Sequence, residues 1–218
     1  MNGSGSASFQ RRWVSLNTAA LVAGYVLYTP IAHGITGGHI GRELSGSQLL
    51  AHSLALAVVG ALVACAQRRA LAPFVAVTRR RVLATVILFN AAFWAGYYQP
   101  WIEGPDTDIL LGYLVLGSGS WLGNVPANRH RVAALVALLS FPIASFVGEL
   151  CLFVAFTLLQ VTPAVETSAI QHSAFWLTIG GVTGLLGGWV SGLALTRMLP
   201  ATRGHSAAQP GVGAVRDV

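Results

Sequence analysis

Apolar residues gather into six long blocks, separated by short polar or arginine-bearing segments. The blocks run over about 13–33, 48–66, 82–102, 109–125, 132–160 and 170–195. Most reach the roughly 20 residues that a helix needs to cross a hydrocarbon core of ~30 Å. The 109–125 block is short and glycine-rich, and the 132–160 block is long enough to tilt or to bend at Pro142. The pattern predicts an all-α, polytopic integral membrane protein: one six-helix transmembrane bundle over residues 13–199. Residues 1–12 read as a disordered lead, and 200–218, which lose the apolar pattern, as a disordered tail. Arg11-Arg12-Trp13 before an apolar run faintly resembles an export signal, but no small-residue cleavage site follows, and the run is long enough to be a first span.

Within the last block, Gly180, Gly184, Gly188 and Gly192 recur every four residues. On a helix this spacing puts them near one face, where bare glycine lets another helix approach closely. Such a run would make a poor helix in water, at about 1 kcal/mol per glycine against alanine. In lipid, the backbone has no water to fall back on and the helix persists. The last block is therefore expected to be the spine of the bundle.

Composition agrees with the pattern. The chain is 54% hydrophobic and only 9% charged, whereas soluble domains carry about 25% charged residues. Its basic excess comes entirely from arginine, for there is no lysine. Under six spans, one set of connecting segments holds every arginine except Arg42, while the opposite loops hold Glu43, Glu103, Asp106, Asp108 and Glu166. Arginine-rich short loops stay cytoplasmic, so both termini are expected inside, in a cell (plasma or inner) membrane. Trp13, Tyr28, Tyr97, Tyr98 and Trp101 fall where interfacial aromatic belts are expected. A nucleic-acid partner is not expected, because no basic face on a soluble module is present. Cys65 and Cys151 fall in opposite halves of the membrane, too far apart to pair, and are expected to be free and buried.

The candidate chemistry collects on the outer side. His33, His39, His52 and His172 lie at that level, as does Glu149, the one ionisable side chain well inside a block. An intramembrane carboxylate normally faces the bundle interior and marks a proton, cation or substrate site. Ser145, one turn earlier, extends its polar strip, and Asn90, Trp94, Tyr97 and Trp101 give the third block a polar-aromatic face. The plainer alternatives are headgroup and loop contacts for the histidines, packing and an interfacial belt for the third block, and for Glu149 a carboxyl near the interface that is protonated or bonded to a neighbouring helix. Imidazoles suit transition metals and haem iron, which makes His33, His52 and His172 the candidate metal ligands. No HExxH or CxxC spacing supports them, and any cofactor stays unknown. Without lysine there is no Walker A motif, which argues against nucleotide hydrolysis.

Three readings follow. The first is a transporter- or permease-like protein with an outward-facing polar site of Glu149, Asn90, Trp94 and the outer histidines, with proton coupling as an option. The second is a membrane-embedded metal- or haem-binding protein. The third is a non-catalytic subunit, or a homo-oligomer, whose glycine strip meets a partner chain in the bilayer. An enzymatic activity is not the favoured reading.

Overall fold

In the computed structural model the described residues are 3–36, 45–97, 107–119, 121–122, 130–158 and 169–199. They are overwhelmingly helical and form no strand. The helices are α1 (Gly3–Thr36), α2 (Gly46–Leu71), α3 (Arg79–Tyr97), α4 (Thr107–Ser118), α5 (Arg131–Leu158), α6 (Ala169–Val182) and α7 (Gly188–Met198). A π-helical turn, Thr183–Gly187, joins α6 to α7 without a break. Four stretches are long and apolar enough to cross a membrane: Gly5–Ile35, Gly46–Leu71, Arg131–Leu158 and Ser173–Met198. α3 opens on three arginines, and α4, at 12 residues, rises only about 18 Å. The described chain is thus all-helical, with four candidate membrane-spanning helices that mark it as a membrane protein.

Each helix packs on the next in sequence, and the α6–α7 rod closes back on α1. Facing residues show that neighbours are antiparallel. Gly24 meets Val59, Gly60 meets Phe89, Gly117 meets Phe141 and Gly148 meets Ile179. The described arginines therefore share one end of the bundle: Arg11 and Arg12 on α1, Arg68 and Arg69 closing α2, Arg79–Arg81 opening α3, Arg131 opening α5, and Arg197 in the last turn of α7. The long helices turn Leu, Val, Ile and Phe outward, among them Leu27, Leu54, Ile87, Leu139 and Phe153, while Asn17, Gln67, Ser145, Thr183 and Ser191 are fully buried. This inside-out distribution is what a lipid solvent selects.

The four glycines of the last block all face α1. A Cβ at Gly180 would strike the Tyr25 ring, at Gly184 the Thr18 Cα at 2.5 Å, and at Gly192 the Gln10 side chain, while at Gly188 it would make ordinary contact with the Val14 Cα at 3.4 Å. A four-residue step overshoots one turn of a 3.6-residue helix by about 40°, so the stripe would rotate away from α1 over its length. The wide π-turn in its middle takes up part of that excess and keeps Gly188 and Gly192 in register. Gly187 faces the other way, where a Cβ would come within 3.1 Å of the Phe141 Cα of α5, so the rod is held between two helices of its own chain.

Several expectations change here. The lead is helical from Gly3 on, because Phe9 packs against Trp13 and Phe74 and Gln10 donates to the Trp189 carbonyl. Trp13 and Tyr28 are not belt residues: both are buried and hydrogen-bonded inside the bundle. Tyr98, Trp101 and the Tyr97 side chain lie outside the described residues. Cys65 and Cys151 are free but exposed, on the apolar outer surface rather than in the core. α2 runs on to Leu71, five residues past its expected end, which takes Gln67 out of a loop and into the core. The 200–218 tail lies outside the described residues.

The shortness of α4 explains that burial. The last four carbonyls of any helix lack intrahelical partners, and those of α4 end inside the bundle, where residues 110–119 are all buried or half-buried. Gln67 donates to the Leu116 carbonyl at 2.8 Å, the Trp121 indole to Gly117 at 2.6 Å, and the Arg81 guanidinium to Gly119 at 3.4 Å. Gln67 also donates to Asn17, whose own amide donates to the Trp13 carbonyl, and the Trp13 indole donates to Ser191. These side chains cap α4 and tie α1, α2 and α7 around it.

Candidate functional site

The half of the bundle away from the arginines holds a different set of polar groups. α1 presents Tyr25 and Tyr28 inward, three residues apart and so on one face. The Tyr25 and Tyr113 hydroxyls are 2.8 Å apart, linking α1 to α4. The Tyr28 hydroxyl lies 2.6 Å from His52 Nε2, linking α1 to α2. Either oxygen can donate in the first bond, and in the second the phenol donates to a neutral imidazole nitrogen or accepts from a protonated one. The two tyrosine rings meet edge to face at 5.8 Å, and Trp176 of α6 covers both, stacked on Tyr25 at 5.2 Å and edge-on to Tyr28 at 5.3 Å.

His52 is enclosed on its remaining sides. Trp94 and Phe93 of α3 pack against its ring at 5.3 and 5.7 Å. The Trp94 indole donates to Ser53 Oγ at 2.8 Å, which fixes α3 beside α2. Deeper in, Glu149 of α5 is half-buried, with one carboxylate oxygen sealed from the surface, and it interacts electrostatically with Tyr113. Ser145 and Thr183 are fully buried; the Ser145 hydroxyl has no hydrogen-bond partner among the described residues, and the Thr183 hydroxyl lies within reach of Tyr113. They share one level: Gly148 faces Ile179 and Gly187 faces Phe141, so an antiparallel register sets 145 opposite 183. The π-turn begins at Thr183, in the wall of this site; widened turns of this kind are frequent at functional sites.

Of the residues singled out in the sequence, His52 and Trp94 come together, and Glu149 is half-buried within electrostatic range of Tyr113. Asn90 is half-buried and spends its amide on its own helix, donating to the Val86 carbonyl at 3.3 Å. His33 is half-buried near the end of α1. The His172 side chain, His39 and the acidic turn 103–106 lie outside the described residues. Among the described residues, no three His, Cys, Asp or Glu side chains gather as a metal-binding group.

Tyr25 and Tyr113 were not singled out by the sequence pattern, and Tyr28 only as an interfacial residue and as the end of a weak stripe with Asn17, Leu21 and Gly24. Their signal was a phenol placed mid-block: Leu21, Tyr25, Tyr28 and Ala32 make one buried stripe at helical spacing. Buried phenols need a partner for the hydroxyl, and the two tyrosines of α1 find theirs on two different helices.

No family model matches the chain, and no curated protein or solved structure is similar to it.

Proposed function

We propose that the chain is a six-span protein of the cell membrane with both termini cytoplasmic, acting as a small permease-like carrier coupled to protons. The sidedness rests on the shared arginine end, which the positive-inside rule assigns to the cytoplasm. α3 and α4 then complete the six passes as a helix with an arginine-rich start and a capped short helix. The observation that carries the functional reading is the set of proton-bearing side chains held inside the bundle: His52 bonded to Tyr28 and Tyr25 bonded to Tyr113, with the half-buried Glu149 within electrostatic range of Tyr113. It begins near the outward end of α2 and continues to the middle of α5. Imidazole and carboxylate chains of this kind are how membrane carriers pass protons.

In this reading, His52 accepts a proton from the outer side and its Nε2–H donates to Tyr28, while Glu149 holds the deeper charge. Protonating Glu149 would remove its negative charge from the bundle and favour a rearrangement of α5 against the π-turn. Two observations weigh against the other readings. His52 Nε2 is already held by Tyr28 and its ring is enclosed by α3. The glycine strip is occupied by α1 of the same chain.

The test is proton uptake into proteoliposomes carrying an internal pH dye, driven by a potassium diffusion potential. The wild-type protein should acidify the lumen, and Glu149→Gln should reduce the rate at least tenfold while its helicity and elution stay unchanged. Equal rates in the two proteins would sink the mechanism.

A further inference from the structure

At the arginine end, a cleft of about 600 Å³ opens between the start of α5 and the end of α7, well away from the tyrosine–histidine site. Its rim carries His130, Arg131 and Arg197, and its walls are apolar, with Val136 on one helix facing Val190 and Leu193 on the other. The two guanidiniums come from different helices, and both side chains are exposed. Neither makes an ion pair or hydrogen bond among the described residues. On α5 the nearest carboxylate, Glu149, is 18 residues further along, or about 27 Å of helix.

We propose that this cleft binds an anionic phospholipid, its headgroup phosphate between Arg131 and Arg197 and an acyl chain along Val136, Val190 and Leu193. The inference rests on the bundle lying in a bilayer, but not on the carrier reading. Guanidinium forks match phosphate oxygens in geometry and charge. Basic pockets between helices at a membrane surface are suited to anionic headgroups. The walls decide between a lipid and a free anion. Val136 and Leu193 are 41% and 45% exposed and continue into the apolar outer surface, so inorganic phosphate would leave them uncovered, whereas an acyl chain would cover them. A zwitterionic lipid would bring no net charge to balance the two arginines. The first-turn N–H groups of α5 also lie at this end and favour an anion there.

The experiment is native mass spectrometry of the full chain in detergent with equimolar phosphatidylglycerol and phosphatidylcholine. Wild type should retain phosphatidylglycerol preferentially, and R131Q/R197Q should lower that preference about 30-fold. R68Q/R69Q, which removes as much charge at the same end but outside the cleft, should leave it unchanged. V136W/L193W should weaken lipid retention by filling the walls. Wild-type preference should also fall with added salt, a readout that needs no variant to fold. Retention of the preference in R131Q/R197Q overturns the proposal, as does an equal loss in R68Q/R69Q. So does full displacement of the lipid by inorganic phosphate, or retention that appears only once residues 200–218 are removed, which would make the tail the occupant.

Discussion

Both halves of the bundle bury polar side chains, but they use them differently. At the arginine end, the groups are amides, indoles, a guanidinium and a serine, and nearly all of them end on backbone carbonyls: Asn17 on Trp13, Gln67 on Leu116, Trp121 on Gly117, Arg81 on Gly119, Ser191 on Gly187. At the other end, phenols and an imidazole bond to one another across helices, and a half-buried carboxylate, Glu149, is within electrostatic range of one of the phenols. Amides and indoles do not exchange protons in the physiological range, and carbonyl caps satisfy groups that lipid would leave orphaned. That half is a frame. Phenol, imidazole and carboxyl groups can change protonation or reverse the sense of a hydrogen bond. Buried oxygens without a partner among the described residues occur in both halves, Gln10 and Gln67 Oε1 in the first and Ser145 Oγ in the second, so the difference lies in what the partnered groups can exchange.

The sharpest break in this division comes where the two halves meet, at Gly184. A Cβ there would sit 2.5 Å from the Thr18 Cα, a backbone atom that cannot rotate away. Gly184→Leu must part the rod from α1 and should cost about 3 kcal/mol or more, seen as loss of folded protein on size-exclusion chromatography. Gly181→Leu, at a glycine with open space around it, should elute normally. Equal behaviour of the two variants would mean that the stripe is not what joins the helices.

A smaller contrast separates frame from site directly. Gln67→Leu keeps the volume but leaves the Leu116 carbonyl and Asn17 without their donor, at a cost of about 1–3 kcal/mol. Tyr113→Phe removes one hydroxyl bond to Tyr25, at about 1 kcal/mol. Proton flux should order them the other way: near wild type for Gln67→Leu under folding conditions, strongly reduced for Tyr113→Phe. Thermal unfolding in detergent beside the proteoliposome assay checks both orders. A Tyr113→Phe protein with full flux would turn the outer network into a second frame.

How much of this was legible in the sequence follows from the same division. The all-helical chain, the pooled arginines and the glycine stripe are periodic features, and period is what a sequence displays. Trp94 and His52 were legible as polar residues on apolar faces, but not as neighbours, because their contact is set by how α3 docks on α2. Gln67 was invisible as a core residue because its role depends on α4 stopping at Ser118, and the apolar block running on to Val125 hides that stop. The tyrosine pairs were hidden for a similar reason. A phenol mid-block fits packing as well as chemistry until the helix carrying its partner is known.

The finest test of the comparison is whether the halves are energetically separate. Asn17 and Tyr25 are eight residues apart on α1, about 12 Å along the helix, and no hydrogen bond among the described residues joins the frame's amides to the phenols. Sites beyond about 10 Å without shared partners add within roughly 0.5 kcal/mol. Tyr25→Phe combined with Asn17→Leu should therefore destabilise by the sum of the single effects, to within that margin. Tyr25→Phe combined with Tyr113→Phe should fall short of its sum by about 1 kcal/mol, since each single change already breaks the one shared bond. If the first pair coupled as strongly as the second, α1 would be transmitting between the halves. The frame would then take part in whatever movement Glu149 controls, and its amides would belong to the mechanism rather than to the scaffold.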